Sequence, residues 1–239
     1  MKKISFIVLI LFIMFIGFGC NEKEVEKFSF EIINDTQCAL KSFKGNKKDI
    51  VIPEKYHGYT VIKIGTNCFS DSSIEKVSFS ENIVAVDSSA FSNCANLFEV
   101  KLNEKLKSIN TWAFLDCTKL EYLYIPKSVE HISDFAFQGC ASLRKIEFDE
   151  EINEPFTVFR TINTLGTSRG VFKDCIKLEY IIAPEKLNLD PLIFEGSNVK
   201  TIFSVNKDIN IDLFKNSDIK IYNSLEWKLT PSGDPKLLQ

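Results

Sequence analysis

A seven-residue phrase returns down this chain. Phe-x-x-Cys-x-x-Leu occurs at Phe91, Cys94 and Leu97, at Phe114, Cys117 and Leu120, at Phe137, Cys140 and Leu143, and at Phe172, Cys175 and Leu178. The first three copies are 23 residues apart (114 − 91 and 137 − 114). A fixed period in this range marks a solenoid, a stack of like supersecondary units. Shortened copies flank these. Phe69-x-x-Ser72-x-Ile74, Phe194-x-x-Ser197-x-Val199 and Phe214-x-x-Ser217-x-Ile219 carry Ser for Cys and lack one residue before the aliphatic position. Deletion and exchange travel together, which predicts one alternative turn geometry rather than random decay. The anchor phenylalanines are then 69, 91, 114, 137, 172, 194 and 214, spaced by 22, 23, 23, 35, 22 and 20 residues.

After each Leu the chain alternates, as in Leu120-Glu-Tyr-Leu123-Tyr-Ile125 and Leu143-Arg-Lys-Ile146-Glu-Phe148. Period-two alternation with Leu, Ile, Val and Phe reads as a strand with one buried face. A turn and a second aliphatic pair, such as Val129 and Ile132, lead into the next Phe. Stacked in register, the strands form a parallel sheet along the solenoid. The reading is a mainly β repeat solenoid with one strand per unit of about 23 residues, joined by turns and short helical segments.

These residues resemble the BspA-like leucine-rich repeats of bacterial cell-surface proteins, whose unit runs roughly I-G-x-x-A-F-x-x-C-x-x-L-x-x-I-x-I-P-x-S-V-x-x-I. Residues 112–132 match it with Ala113-Phe114, Cys117, Leu120, Leu123, Ile125-Pro126, Ser128-Val129 and Ile132. Ile52-Pro53 and the run Gly58 to Gly65 resemble that family's N-terminal cap. The resemblance covers about residues 28–222. It implies a cell-surface or secreted role in binding or adhesion. The expected organisation is a cap over 28–62, repeats over 63–222 with an insertion at about 149–169, and a C-terminal cap over 223–239, where Trp227 is expected to cover the last core.

The N-terminus reads as an export signal over residues 1–19. Lys2 and Lys3 precede an apolar run from Ile4 to Ile16, shorter than the ~20 residues of a membrane span. It ends in Gly19-Cys20, followed by the polar stretch Asn21 to Lys27. A small residue before Cys at this place resembles a bacterial lipoprotein box, which implies acylation of Cys20 and a tether over 20–27. The alternatives are an uncleaved anchor and a conventional signal peptide. Without residues 1–19 the chain has 27 basic and 32 acidic residues, a net charge of −5. No basic patch appears, so nucleic acid is not an expected partner. The expected state is a monomer held to the cell envelope through its lipid.

Of seven cysteines, four occupy one repeat position. Ser at the same position elsewhere points to a small side chain at a turn. Strand spacing of ~4.8 Å leaves disulfides possible on distance, and buried thiols acting as small hydrophobes are the favoured reading. There is no short C-x-x-C and no clustered His, so neither metal nor cofactor is expected. Gly166-Thr-Ser168-Arg-Gly170 matches G-x-S-x-G, but an elbow needs a His downstream, and both histidines, His57 and His131, lie upstream. No catalytic residue is expected.

Two regions are candidates for binding a protein or a glycan. One is the outward sheet face, with Glu99 and Lys101, Tyr122 and Tyr124, Tyr180 and Ile182, and Phe203, where large apolar surface falls on solvent-facing positions. The other is the insertion. Arg144, Arg160 and Arg169, which lie at or near it, are all the arginines of the chain, and Arg suits bidentate recognition of carboxylate or sulfate. Two other functional classes stand beside adhesion: an assembly component of an envelope complex, and an enzyme with an unrecognised site.

Overall fold

The computed structural model describes residues 27–149, 169–183, 191–204, 217–223, 225–230 and 234–238. They form a β-solenoid. One face carries the predicted strands: Asp49–Val51, Lys76–Ser78 and Glu99–Lys101 as a three-stranded parallel sheet, then Tyr122–Ile125, Lys145–Phe148, Tyr180–Ala183, Thr201–Ser204 and Lys220–Tyr222 as a five-stranded one. Their burial alternates as the sequence pattern requires. Leu123, Ile125, Ile146, Ile181 and Ala183 point into the core at 0–1% exposure.

A second sheet lies on another side of the coil, in addition to the one strand per unit read from sequence. Ala85–Val86, Ser108–Ile109 and His131–Ile132 pair in parallel behind Tyr59–Ile64. Each is the second aliphatic pair of a unit, and two residues are too few to show a period. At the N-terminal end, Lys27–Ile32 runs antiparallel to Gln37–Lys44, which pairs in parallel with Tyr59–Ile64. The one helical element among the described residues is the 3-10 turn Pro191–Phe194.

The third side is built by the repeated phrase. The Phe rings stack into a continuous ladder. Phe69–Phe91, Phe91–Phe114 and Phe114–Phe137 have centroids 5.0, 5.0 and 5.1 Å apart with planes within 5°. The ladder continues to Phe172 at 5.7 Å and Phe194 at 6.0 Å. The spacing matches the distance between neighbouring strands, so one ring fits each turn of the coil. Each fully buried Phe contributes about 1.5–3 kcal/mol of burial, and each ring pair about 0.5–1.5 kcal/mol more.

The cysteines secure this ladder and are all free and buried among the described residues. Cys94 Sγ donates to the Phe69 carbonyl at 3.0 Å, Cys117 to Phe91 at 3.2 Å, Cys140 to Phe114 at 3.3 Å and Cys175 to Phe137 at 3.3 Å. The thiol is thus a donor to the unit before it as well as a small hydrophobe. Burial pushes Cys94 up to about 11 and Cys175 up to about 12, and Cys117 and Cys140 well above the thiol range.

The shortened phrase has its own turn in the C-terminal copies, whereas the Ser72 hydroxyl of the first copy meets Cys94 Sγ at 3.4 Å instead. In the Cys units the Leu N–H donates to the Cys carbonyl, as in Leu97 to Cys94 at 2.9 Å. In Phe194-x-x-Ser197-x-Val199 the Val199 N–H meets Ser197 Oγ at 3.4 Å, and that hydroxyl donates to the Phe194 carbonyl at 2.7 Å. A side-chain oxygen stands where the missing residue's turn carbonyl would be.

The insertion leaves the stack intact. Phe137 still meets Phe172, and Glu147 still pairs with Ile182. Residues 150–168, including Arg160 and Ser168, lie outside the described residues, as does Cys20.

Candidate binding surfaces of the coil

The outward face divides into a charged and an aromatic half. At Glu99–Lys101 the face is ionic. Glu99 pairs with Lys101 at 2.9 Å and with Lys76 at 3.4 Å. Lys101, and then Lys76, hold the Glu99 carboxyl below the usual range. Exposed pairs of this kind add little stability.

At Tyr122–Ile125 the face turns aromatic. The register Tyr122↔Lys145 and Tyr124↔Glu147 sets each tyrosine beside the acidic residues of the next unit. Tyr122 Oη donates to Glu147 Oε2 at 3.0 Å, and Tyr124 Oη donates to Asp149 Oδ2 at 2.8 Å. Lys145 pairs with Glu147 at 3.2 Å and lies 5.9 Å over the Tyr122 ring. Burial first, then the neighbouring carboxylates, raises both phenols above their ordinary range. Tyr122 is 45% exposed. The rings are therefore outward-facing and held by their hydroxyls. The partner Asp149 was not among the residues expected from sequence to shape this face. Its signal was the equal parity of Tyr122-x-Tyr124 and Glu147-x-Asp149, one unit on.

Ile182 lies half-buried beside Glu147. Tyr180 and Tyr124 are on strands separated only by Lys145–Phe148. Tyr180 Oη donates to Asp234 Oδ1 at 3.0 Å, and burial, then Asp234, pushes this phenol up to about 12.

Phe203 corrects the sequence reading. It occupies an outward position but is only 8% exposed. Trp227 covers it, with ring centroids 5.4 Å apart, and Tyr222 stacks on it at 5.8 Å. Trp227 Nε1 donates to the Ser204 carbonyl at 3.1 Å. The antiparallel pair Trp227–Leu229 and Pro235–Leu237 thus brings Trp227 onto the outward sheet face, not over the end of the core. The two described arginines hold different places on the coil. Arg144 precedes the Lys145–Phe148 strand, its N–H donating to the Glu121 carbonyl. Arg169 lies across the Phe turn from it, its N–H donating to Asp134 Oδ1 at 2.9 Å.

The turn side carries a feature that the sequence reading missed. The position two before each ladder Phe from Phe69 to Phe172 is left-handed: Asn67 (φ 56°), Ser89 (56°), Trp112 (58°), Phe135 (58°) and Gly170 (58°). Asn and Gly tolerate this region. Bulky residues do not, and the cost is about 1–2 kcal/mol each. Trp112 and Phe135 stack with centroids 6.4 Å apart and planes at 15°, a gain of about 0.5–1.5 kcal/mol. Stacking offsets part of this cost, and Trp112 stays 44% exposed. Phe135 in turn lies over Gly170, where a Cβ would sit 2.7 Å from the ring. This explains Gly170 of the G-x-S-x-G match as a repeat position.

The model of the BspA type leucine-rich repeat region matches in six copies, over residues 36–156, 62–199 and 156–222. The chain belongs to the BspA-type leucine-rich repeat family. Solved structures share the fold of this BspA-type protein. The T. pallidum leucine-rich repeat protein aligns with a TM-score of 0.59 at 19% identity, covering 82% of this chain and 80% of its own. A leucine-rich repeat protein of Bacteroides ovatus aligns at 0.53 and 17% identity, over 86% and 68%. The pneumococcal vaccine antigen PcpA aligns at 0.56 and 18% identity, over 75% of this chain and 42% of PcpA. No curated protein matches the chain.

Proposed function

We propose that this BspA-type protein is a non-enzymatic, lipid-anchored protein of the bacterial cell surface that binds a protein or glycan ligand through its outward sheet face. The observation that carries the reading is the Tyr122–Tyr124 pair. Both side chains point out of the sheet, and their hydroxyls are already fixed by Glu147 and Asp149. Rings held in place lose little side-chain entropy on binding. Ile182 and Tyr180 extend this surface by two strands. Surface display accords with the family and with a structural relative described as a vaccine antigen.

Capture from host matrix and from envelope extracts, with a Tyr122→Ala/Tyr124→Ala variant beside the natural chain, tests the surface. Ligand is expected on the natural chain and not on the variant, and equal capture by both defeats the sheet-face reading. Recovery only from envelope extract would replace adhesion by an assembly role, and turnover in a hydrolase panel would replace binding by catalysis. The anchor is tested by labelling with a palmitate analogue, where a Cys20→Ala chain that keeps its label would refute it.

A further inference from the structure

We infer that the turn side of the coil carries a second, separate binding site, a ledge on Trp112 that takes the flat face of a neutral pyranose. The argument starts from the left-handed column. Its side chains run Asn67, Ser89, Trp112, Phe135 and Gly170, one per unit. The stacking has a direction. Phe135 lies over Gly170, in the next unit, and Trp112 stacks on Phe135, in the next unit. Each ring covers its C-terminal neighbour. On the N-terminal side of Trp112 stands Ser89, which has no ring to cover it. Among the described residues the indole has no second ring partner.

The left-handed backbone is held here by residues unsuited to it, with the larger ring left half in water. The coil imposes the conformation on every one of these units, and what sets Trp112 apart is a bulky ring held there with much of its surface in water, a candidate functional position. The ligand class follows from the surroundings. Thr111 directly precedes the indole, and Ser88 and Ser89 hold the equivalent places one unit before, so hydroxyl-bearing residues flank Trp112 along the column. Asn110 adds an amide, whose nitrogen lies 3.4 Å from Asp87 Oδ1. A peptide anchor seeks an apolar pocket that excludes water, and this ledge is open and rimmed by hydroxyls. A pyranose has what the ledge lacks: a flat face of C–H groups, positively polarised toward the negative face of an aromatic ring, and a rim of hydroxyls for Ser89 and Thr111.

The test uses the two tryptophans. In a Trp227→Phe chain, Trp112 is the single indole and reports directly on its own face. The probes are hexaoses of β-1,4-glucose, β-1,4-galactose, β-1,4-N-acetylglucosamine and α-1,4-glucose, with a proline decamer as the peptide arm. At least one hexaose is expected to give a saturable change in Trp112 emission. Calorimetry on Trp112→Asn is expected to show that binding lost, in a chain that folds normally because Asn67 already holds this conformation. The Tyr122→Ala/Tyr124→Ala variant is expected to bind as the natural chain does, which separates this site from the sheet face. The inference is overturned if no hexaose binds, if Trp112→Asn binds unchanged, if the tyrosine variant loses the sugar, or if only the proline decamer binds.

Discussion

The Phe ladder makes a quantitative prediction. Phe114 is fully buried between Phe91 and Phe137, with centroids 5.0 and 5.1 Å away. Truncation to Ala removes the ring and leaves a cavity, at a cost of about 3–5 kcal/mol. That figure mixes volume with ring stacking, and Leu separates them. Phe91→Leu and Phe114→Leu each keep an apolar filler. Their double variant isolates the Phe91–Phe114 pair, because coupling in a mutant cycle reports what two neighbours contribute jointly. Parallel rings at this spacing should give a coupling of about 0.5–1.5 kcal/mol. The assay is urea unfolding followed by far-UV circular dichroism, with the Trp112 and Trp227 signals checked for coincidence. A coupling indistinguishable from zero would refute the claim that the rings hold one another, and leave them as separate fillers of one core. An internal comparison sharpens it: Phe194, at the end of the described ladder with its ring neighbour 6.0 Å away and 5% exposure, should lose less than Phe114 when cut to Ala.

Three further outcomes follow from other parts of the coil. In a Cys20→Ser chain the thiols of Cys38, Cys68, Cys94, Cys117, Cys140 and Cys175 should stay unreactive to Ellman's reagent until urea unfolds the protein, and prompt labelling of any one would contradict its burial. Raised folded-state thiol pKa values mean that stability is fully present below the unfolded thiol range near 8.5 and falls as pH rises from there through the folded values, about 11 at Cys94 and about 12 at Cys175. The loss is up to about 1.4 kcal/mol per pH unit for each thiol, seen as a falling urea midpoint that Cys94→Ala should flatten. Gly170→Ala should destabilise by at least about 1–2 kcal/mol from its left-handed backbone alone, with part of the total recovered by Phe135→Ala, since the Phe135 ring fills the Cβ position; additive thermal shifts would deny the contact.

Much of this molecule is legible in one dimension because its register is local. The Leu of each phrase starts a strand, so parity alone sends Leu123 and Ile146 inward and Tyr122 and Lys145 outward. What resists reading is set by chain far away or by too few residues. Trp227 covers Phe203 from 24 residues downstream, through a hairpin whose docking leaves no periodic trace. The second sheet uses strands of two residues. The left-handed positions escape because Trp112 and Phe135 give no Gly or Asn signal of their own, and only their alignment with Asn67, Ser89 and Gly170 exposes them.

The turn built on Ser197 has a consequence for how such a chain can change length. A hydroxyl takes over from a carbonyl, one residue disappears, and Tyr180 still meets Thr201 across the sheet. Ile74 and Leu97 lead likewise into strands that pair Lys76 with Glu99. Unit length and sheet phase are therefore uncoupled. Copies of either length can be gained, lost or exchanged without rotating the outward residues of one storey against the next, so a surface spread over several storeys can be rebuilt by recombination and remain continuous.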